Sequence, residues 1–188
     1  MEVKRLPLPE HFGALYVCPV QGTQKEQSAI AHAMLSEVLP AYAEEKGIQL
    51  TAPLRFSENA MGKPYLMDCD AVHFNLSHCK GLAVCLLSTF ECGVDVEPKR
   101  TLRENVVRRV CSRAEKTALS AEEDKDLLFT QLWTLKEAYV KAVGIGISYP
   151  MREVSFVLRG RAVRCNRPGA EFRQILYEGF AVSACILK

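Results

Sequence analysis

Two carboxylates alternate along one apolar run, Gly93-Val94-Asp95-Val96-Glu97. A strand has a period of two, so Asp95 and Glu97 point to one face while Val94 and Val96 point to the other. Carboxylates held close together repel, and a hard cation such as Mg²⁺, bound by carboxylate, phosphate and water oxygens, removes that cost. The plain alternative is an ordinary exposed strand face. A second group, Trp133, Glu137 and Lys141, recurs every fourth residue and therefore stacks on one helix face. Glu and Lys at that spacing are also a routine stabilising pair, and Trp133 could be core. Chemistry requires Glu137 to approach Asp95 and Glu97 as a third ligand, with Lys141 on phosphates. A third group is Phe74-Asn75-Leu76-Ser77-His78, preceded by Gly62-Lys63-Pro64. It offers phosphate a hydroxyl, a ring N–H and an ammonium. Ser77 and His78 could instead serve a hydrolase, but no serine sits in a Gly-x-Ser-x-Gly elbow. A lone histidine in a turn is commonly only solvated.

These groups need elements to hold them. Ala14–Val20 reads as a strand. Thr23 and Glu26 then form a capping box, and the helix behind it carries Ile30, Met34, Leu35, Val38 and Leu39 at helical spacing. Pro40 is expected to end or restart this helix, and Gly47 to close it. Loops follow at Pro53 and Asn59–Pro64. Val72–Leu76 and Leu82–Leu87 read as strands with Ser77–Gly81 between them, and Gly93–Glu97 as a third strand stopped by Pro98. Thr101 with Glu104 and Ser112 with Glu115 look like two further capping boxes, each opening a short helix. The longest helix runs from about Asp126 to Val143, with Gly144 placed for a left-handed C-terminus. Val154–Leu158, Ala162–Cys165, Phe172–Tyr177 and Phe180–Leu187 are strands. Gly81–Leu87 and Gly179–Leu187 echo each other faintly.

Composition bounds the function. The 188 residues suffice for one large domain or two small halves sharing a core, and 48% are apolar. Lys and Arg total 24 against 22 Asp and Glu, a net charge of +2, which argues against general nucleic-acid binding. Charge is uneven locally. Lys99, Arg100, Arg103, Arg108, Arg109, Arg113 and Lys116 face only Glu104 and Glu115 within Lys99–Lys116. Such a stretch could steer an acidic partner or merely solvate two helices. None of the 8 cysteines forms a Cys-x-x-Cys pair, so they read as small buried apolar residues and not as a zinc site. The chain shows neither a signal-peptide run nor a stretch of membrane-spanning length, so no membrane partner is expected. A cytoplasmic location is expected.

The order Gly62-Lys63-Pro64, Phe74–His78, Gly93–Glu97, Ser112-x-x-Glu115 and then Trp133–Lys141 with Gly144-x-Gly146 resembles the 4'-phosphopantetheinyl transferase superfamily. The resemblance extends over about residues 25–158 and, through the last strand, most of the chain. Its length is similar to that of the surfactin-synthetase-activating type, in which two similar halves form a pseudo-dimer, and the echo fits that type. The resemblance implies an α/β (α+β) fold with two similar halves, each a small antiparallel sheet and a long helix. The halves would be 1–92, the coenzyme A nucleotide side, and 93–188, the Mg²⁺ and catalytic side, packed as one unit and acting as a monomer.

The activity implied is transfer of 4'-phosphopantetheine from coenzyme A to a serine of an apo-acyl or peptidyl carrier protein, leaving 3',5'-ADP. Asp95, Glu97 and Glu137 would hold Mg²⁺ against the pyrophosphate, Glu137 would also act as the base, and Lys141 would contact the phosphates. Lys63, Ser77 and His78 match positions that grip the nucleotide phosphates. Relatives carry basic residues before and within the first helix that reach the 3'-phosphate. Here His32 stands where an arginine is common, and Lys25 is the nearest basic candidate. Carriers of this kind are acidic around the modified serine, so the Lys99–Lys116 stretch is the expected docking surface. Two alternatives stay open: a coenzyme A or nucleotide-binding relative without transfer, and a metal-dependent hydrolase.

Overall fold

Strand β2 (Ala14–Val20) leads into helix α1 (Gln24–Glu45), and two further strands, β5 (His73–Cys79) and β6 (Gly81–Ser88), return to pair beside it. The second half repeats the plan. Strand β7 (Glu91–Pro98) leads through short helices α2 (Glu104–Val110) and α3 (Arg113–Ala121) into α4 (Lys125–Val143), and β10 (Ala170–Tyr177) and β11 (Phe180–Leu187) return. A computed structural model provides this description, which covers residues 2–146, 149–160 and 162–188. The first sheet has the order β1-β2-β6-β5, with β1 at Lys4–Leu6, and the second has the order β10-β11-β7. All these pairings are antiparallel. Two small hairpins, β3–β4 (Phe56–Glu58, Pro64–Leu66) and β8–β9 (Phe156–Arg159, Ala162–Cys165), flank the halves.

The layering follows from alternation. On β6, Ala83, Cys85 and Leu87 pack with Met34, Leu35, Leu39 and Tyr42 of α1. Leu82, Val84 and Leu86 point the other way, into a core shared with Val94 and Val96 of β7 and Val182, Ala184 and Ile186 of β11. The two sheets thus bury their inner faces against each other, and each long helix covers an outer face. The second outer core joins Leu132, Leu135, Ala138 and Ala142 of α4 to Phe156, Phe172 and Cys185. The eight strands and the two long helices predicted from the sequence stand within a few residues of their expected ends. The faint echo falls on β6 and β11, each an interior strand of its sheet.

Several local expectations are corrected. α1 runs through Pro40 to Glu45. Proline inside a helix costs about 3 kcal/mol, but stopping there would expose Tyr42 and Ala43, which are buried, and burying one large side chain is worth about 1.5–3 kcal/mol. Thr101 does not cap α2: the helix starts at Glu104, with Arg103 at its N-cap and no side-chain bond there. The segment before it is held by α4 instead, since Arg100 N donates to Thr130 Oγ1 at 2.9 Å and Leu102 N to Asp126 Oδ1 at 2.8 Å. The capping boxes at Thr23 and Ser112 form as read. Ser77 and His78 do not lie in a turn, because β5 continues through Cys79.

Candidate active site

Strand alternation sends Val94 and Val96 into the core between the sheets and leaves Asp95 and Glu97 on the face covered by α4. Gly93, on that same face, lets α4 come close. A Cβ there would stand 2.1 Å from Ala138 O and 2.4 Å from Ala142 N. The helix is fixed further by Thr134, whose Oγ1 is 2.7 Å from Ser183 Oγ; Ser183 lies directly across the ladder from Asp95. With α4 set this way, Lys141 Nζ donates to Asp95 Oδ1 at 2.7 Å, to Ser77 Oγ at 2.9 Å and to Val94 O at 3.1 Å. Ser77 Oγ also donates to Asp95 Oδ1 at 2.9 Å. Because β5 and β7 are both edge strands, this cluster forms where the two halves meet. Asn75 closes the same seam, its Oδ1 accepting from Val94 N at 2.9 Å.

The carboxylates sense one another. Burial, followed by the Asp95 charge, pushes Glu97 above the ordinary glutamate range, and the same two causes in the same order push Glu137 up. Asp95 is buried, only 5% exposed, so the plain alternative of an ordinary exposed strand face does not hold for it. Its Oδ2 is buried with no hydrogen-bond partner. Glu97 is met by Arg100 Nη1 at 2.8 Å. Among the described residues no three His, Cys, Asp or Glu side chains are gathered tightly enough to hold an ion as they stand. Two observations nevertheless fit a hard divalent cation: the orphaned oxygen of Asp95, and two glutamates whose charged forms are disfavoured by burial and by a third carboxylate.

The other predicted residues divide. His78 is part-buried, with its pKa lowered first by burial and then by the Lys141 and His32 charges, and as the next residue along β5 its side chain leaves the strand on the face opposite to Ser77. Lys63 reaches the C-terminal end of α4, one residue on from Lys141: its Nζ donates to Ala142 O at 2.8 Å and to Glu91 at 2.5 Å. Lys25 is exposed in the first turn of α1 and makes none of these contacts. Trp133, Glu137 and Lys141 do share one face, and they line a cleft of about 790 Å³. Met61–Pro64, Asn75 and Leu76 form its wall from the first half, and Arg109, Val110 and Tyr149–Glu153 form its wall from the second.

Sequence reasoning missed the group that shapes this second wall. Lys136 and Glu115 are both fully buried and 2.9 Å apart. Lys136 Nζ also donates to Met151 O at 3.0 Å and to Val154 O, while Glu115 accepts from Phe156 N at 2.9 Å. A capping box accounts for Glu115 locally and hides this second duty. Asn75 likewise carries no role in the sequence pattern, where a polar residue between Phe74 and Leu76 is its one visible signal.

A family model described as the 4'-phosphopantetheinyl transferase superfamily matches residues 91–185. The chain is 32% identical over 126 residues to 4'-phosphopantetheinyl transferase Sfp of Bacillus subtilis, covering 65% of this chain and 56% of that protein. It is 30% identical over 148 residues to 4'-phosphopantetheinyl transferase gsp of Aneurinibacillus migulanus, covering 70% and 58%. It is 35% identical over 113 residues to 4'-phosphopantetheinyl transferase HetI of Nostoc, covering 56% and 47%. The chain spans about half the length of the curated relatives it matches.

Proposed function

The chain belongs to the 4'-phosphopantetheinyl transferase superfamily, and from that premise we propose that it moves the 4'-phosphopantetheine arm of coenzyme A onto a serine of an apo-carrier protein. The observation that carries this reading is the seam cluster. Ser77 from the first half and Lys141 from the second meet on one oxygen of Asp95, beside two glutamates with raised pKa. A hydrolase built on His78 with Asp95 or Glu97 would need the ring on a carboxylate, and His78 Nδ1 is buried without a partner.

In this reading residues 1–92 form the nucleotide side and 93–188 the metal side, and coenzyme A lies in the cleft between them. Asp95, Glu97 and Glu137 would hold Mg²⁺. When bound, the ion supplies positive charge that offsets the pyrophosphate oxygens. Lys141, released from Asp95, contacts the phosphates, with Ser77 beside it and His78 on the opposite face of β5. Glu137 takes the proton of the carrier serine, and its raised pKa brings it nearer to working pH. The serine oxygen bonds to the β-phosphorus as the bond to 3',5'-ADP breaks. Lys63 serves the phosphates less directly than the resemblance implies, because Glu91 and the end of α4 hold its ammonium.

The carrier is proposed to dock on the basic segment around α2. Lys99 is paired with Asp124 and Arg100 with Glu97, and Glu115 is consumed by Lys136. Arg103, Arg108, Arg109 and Arg113 remain exposed, and Arg109 lines the cleft. Among the described residues no helix is long and apolar enough to cross a membrane. We propose a monomer working in the cytoplasm without nucleic-acid or membrane partners. The test is intact-mass analysis of a panel of apo-carriers incubated with the protein, coenzyme A and Mg²⁺. Transfer adds the pantetheine mass to at least one carrier, and reversing Arg108 and Arg109 to Glu raises that carrier's KM and flattens its salt dependence. Release of 3',5'-ADP without a modified carrier would mean hydrolysis, and no turnover across the panel would mean a binding protein.

A further inference from the structure

The far end of α4 is capped by the other half of the molecule. Asn59 Nδ2 donates to Gly144 O at 3.1 Å, across 85 residues of sequence. The same side chain organises its own loop, since Asn59 Oδ1 accepts from Met61 N and Lys63 N, both at 2.9 Å. Two backbone bonds complete the turn, Asn59 N to Lys63 O and Gly62 N to Asn59 O, each 2.9 Å. Lys63 then reaches Ala142 O at 2.8 Å. The last carbonyls of a helix have no partner within it and carry the negative end of its dipole, so an amide N–H and an ammonium suit them.

Close approach is built in. Gly144 has φ of +74°, and a Cβ there would stand 3.0 Å from Lys63 Cδ and 3.1 Å from Asn59 Nδ2. Glu91, at the start of β7, holds Lys63 at 2.5 Å and lies 3.3 Å from His73 Nδ1. Met61, Gly62, Lys63 and Pro64 form one wall of the cleft, while Glu137 and Lys141 on α4 form another. The Asn59 amide joins those two walls.

We propose that Asn59 is a positioning residue. It clamps the 59–64 loop onto the C-terminal end of α4 and so sets the cleft width against which coenzyme A is held. The inference rests on the transferase reading above. It assigns Lys63 a clasp at the helix end in place of a direct phosphate contact.

Asn59→Asp separates the two duties of the side chain. A carboxylate keeps the acceptor for Met61 N and Lys63 N but loses the donor and repels Gly144 O. In the full-length protein, the coenzyme A KM should rise about tenfold, the factor that one lost hydrogen bond of about 1.4 kcal/mol corresponds to, with kcat within about twofold. Amide exchange at Gly144 and in the 59–64 loop should speed up by a similar factor, while exchange in the rest of α4 stays unchanged. Asn59→Gln is expected to restore neither, since its longer arm misplaces the amide. An unchanged coenzyme A KM in Asn59→Asp, in an enzyme that transfers, overturns the clamp. If the wild type transfers nothing, the function reading fails alone, and the exchange measurement still decides the clamp: unchanged exchange at Gly144 rejects it.

Discussion

β2 and β7 occupy matching places in the two halves, yet only β7 carries carboxylates. Each leads into the long helix of its half and pairs with the returning strand beside it. In register, Tyr16 lies opposite Cys85 and Cys18 opposite Ala83. In β7, Asp95 lies opposite Ser183 and Glu97 opposite Ala181. Aligning Gly81–Leu87 with Gly179–Leu187 therefore sets Tyr16 against Asp95, Cys18 against Glu97 and Ala14 against Gly93. The difference lies in the free edge. β1 closes the outer edge of β2, with Arg5 paired to Tyr16 and Leu6 to Leu15. β7 is an edge strand reached by side chains and not by a further strand, with Asn75 Oδ1 on Val94 N, Lys141 Nζ on Val94 O and Ser77 Oγ on Asp95. An edge sealed by backbone favours apolar residues beneath the helix, as on α1, whose buried positions are almost all apolar. An edge left open beside a cleft can hold charge, and α4 buries Thr134 and Lys136 and presents Glu137 and Lys141. One scaffold used twice thus yields one strand face that is apolar beneath its helix and one that carries carboxylates.

The carboxylates should break this comparison hardest. Asp95→Asn and Glu137→Gln are expected to lower transfer at saturating Mg²⁺ by about 10²–10³-fold, with far-ultraviolet dichroism unchanged. Tyr16→Phe, at the matching place in the first half, should leave the rate alone. Amide replacements are the right probes, because Asp95→Ala would leave Lys141 without its carboxylate in a part-buried site. If either amide variant keeps a rate within a few-fold of wild type, that residue has no part in the reaction.

Gly93 and Ala14 sharpen the contrast in packing. Gly93→Ala forces a methyl group into the backbone of α4 and should cost about 1–3 kcal/mol in urea denaturation. Ala14→Gly only loosens a strand, at about 0.5–1 kcal/mol. Equal costs would mean that α1 and α4 approach their strands alike, contrary to the contacts at Gly93.

Much of this was legible from spacing. Alternation in Gly93–Glu97 set the faces of β7, and a four-residue repeat put Trp133, Glu137 and Lys141 on one side of α4. What escaped the sequence depended on contacts between distant segments. Pro40 reads as a stop until the burial of Tyr42 is known. Thr101 matches a capping box until Asp126 and Thr130 take the segment it begins. The bonds of Lys63 to Glu91 and to Ala142 O have no sign in the sequence around it. Asn59 reads as a loop former, and nothing local points to Gly144.

A smaller effect should appear in pH dependence. Glu97 and Glu137 are raised, first by burial and then by Asp95, so the folded state holds their protons more tightly than the unfolded chain. That contribution is fully present below the unfolded value of about 4.5 and is lost as pH rises through the raised folded values. The metal-free protein should therefore lose part of its thermal midpoint as pH rises above about 4.5, and Mg²⁺ should raise the midpoint more at pH 7.5 than at pH 5. A Mg²⁺ effect independent of pH would detach the ion from these two side chains.

The most direct measurement is calorimetric titration of Mg²⁺ into the protein saturated with coenzyme A at neutral pH, comparing wild type, Asp95→Asn, Glu137→Gln and Tyr16→Phe. The seam site predicts saturable binding in wild type and Tyr16→Phe, and its loss in both carboxylate variants. Wild-type binding retained in Asp95→Asn and Glu137→Gln would place the metal elsewhere and contradict the account.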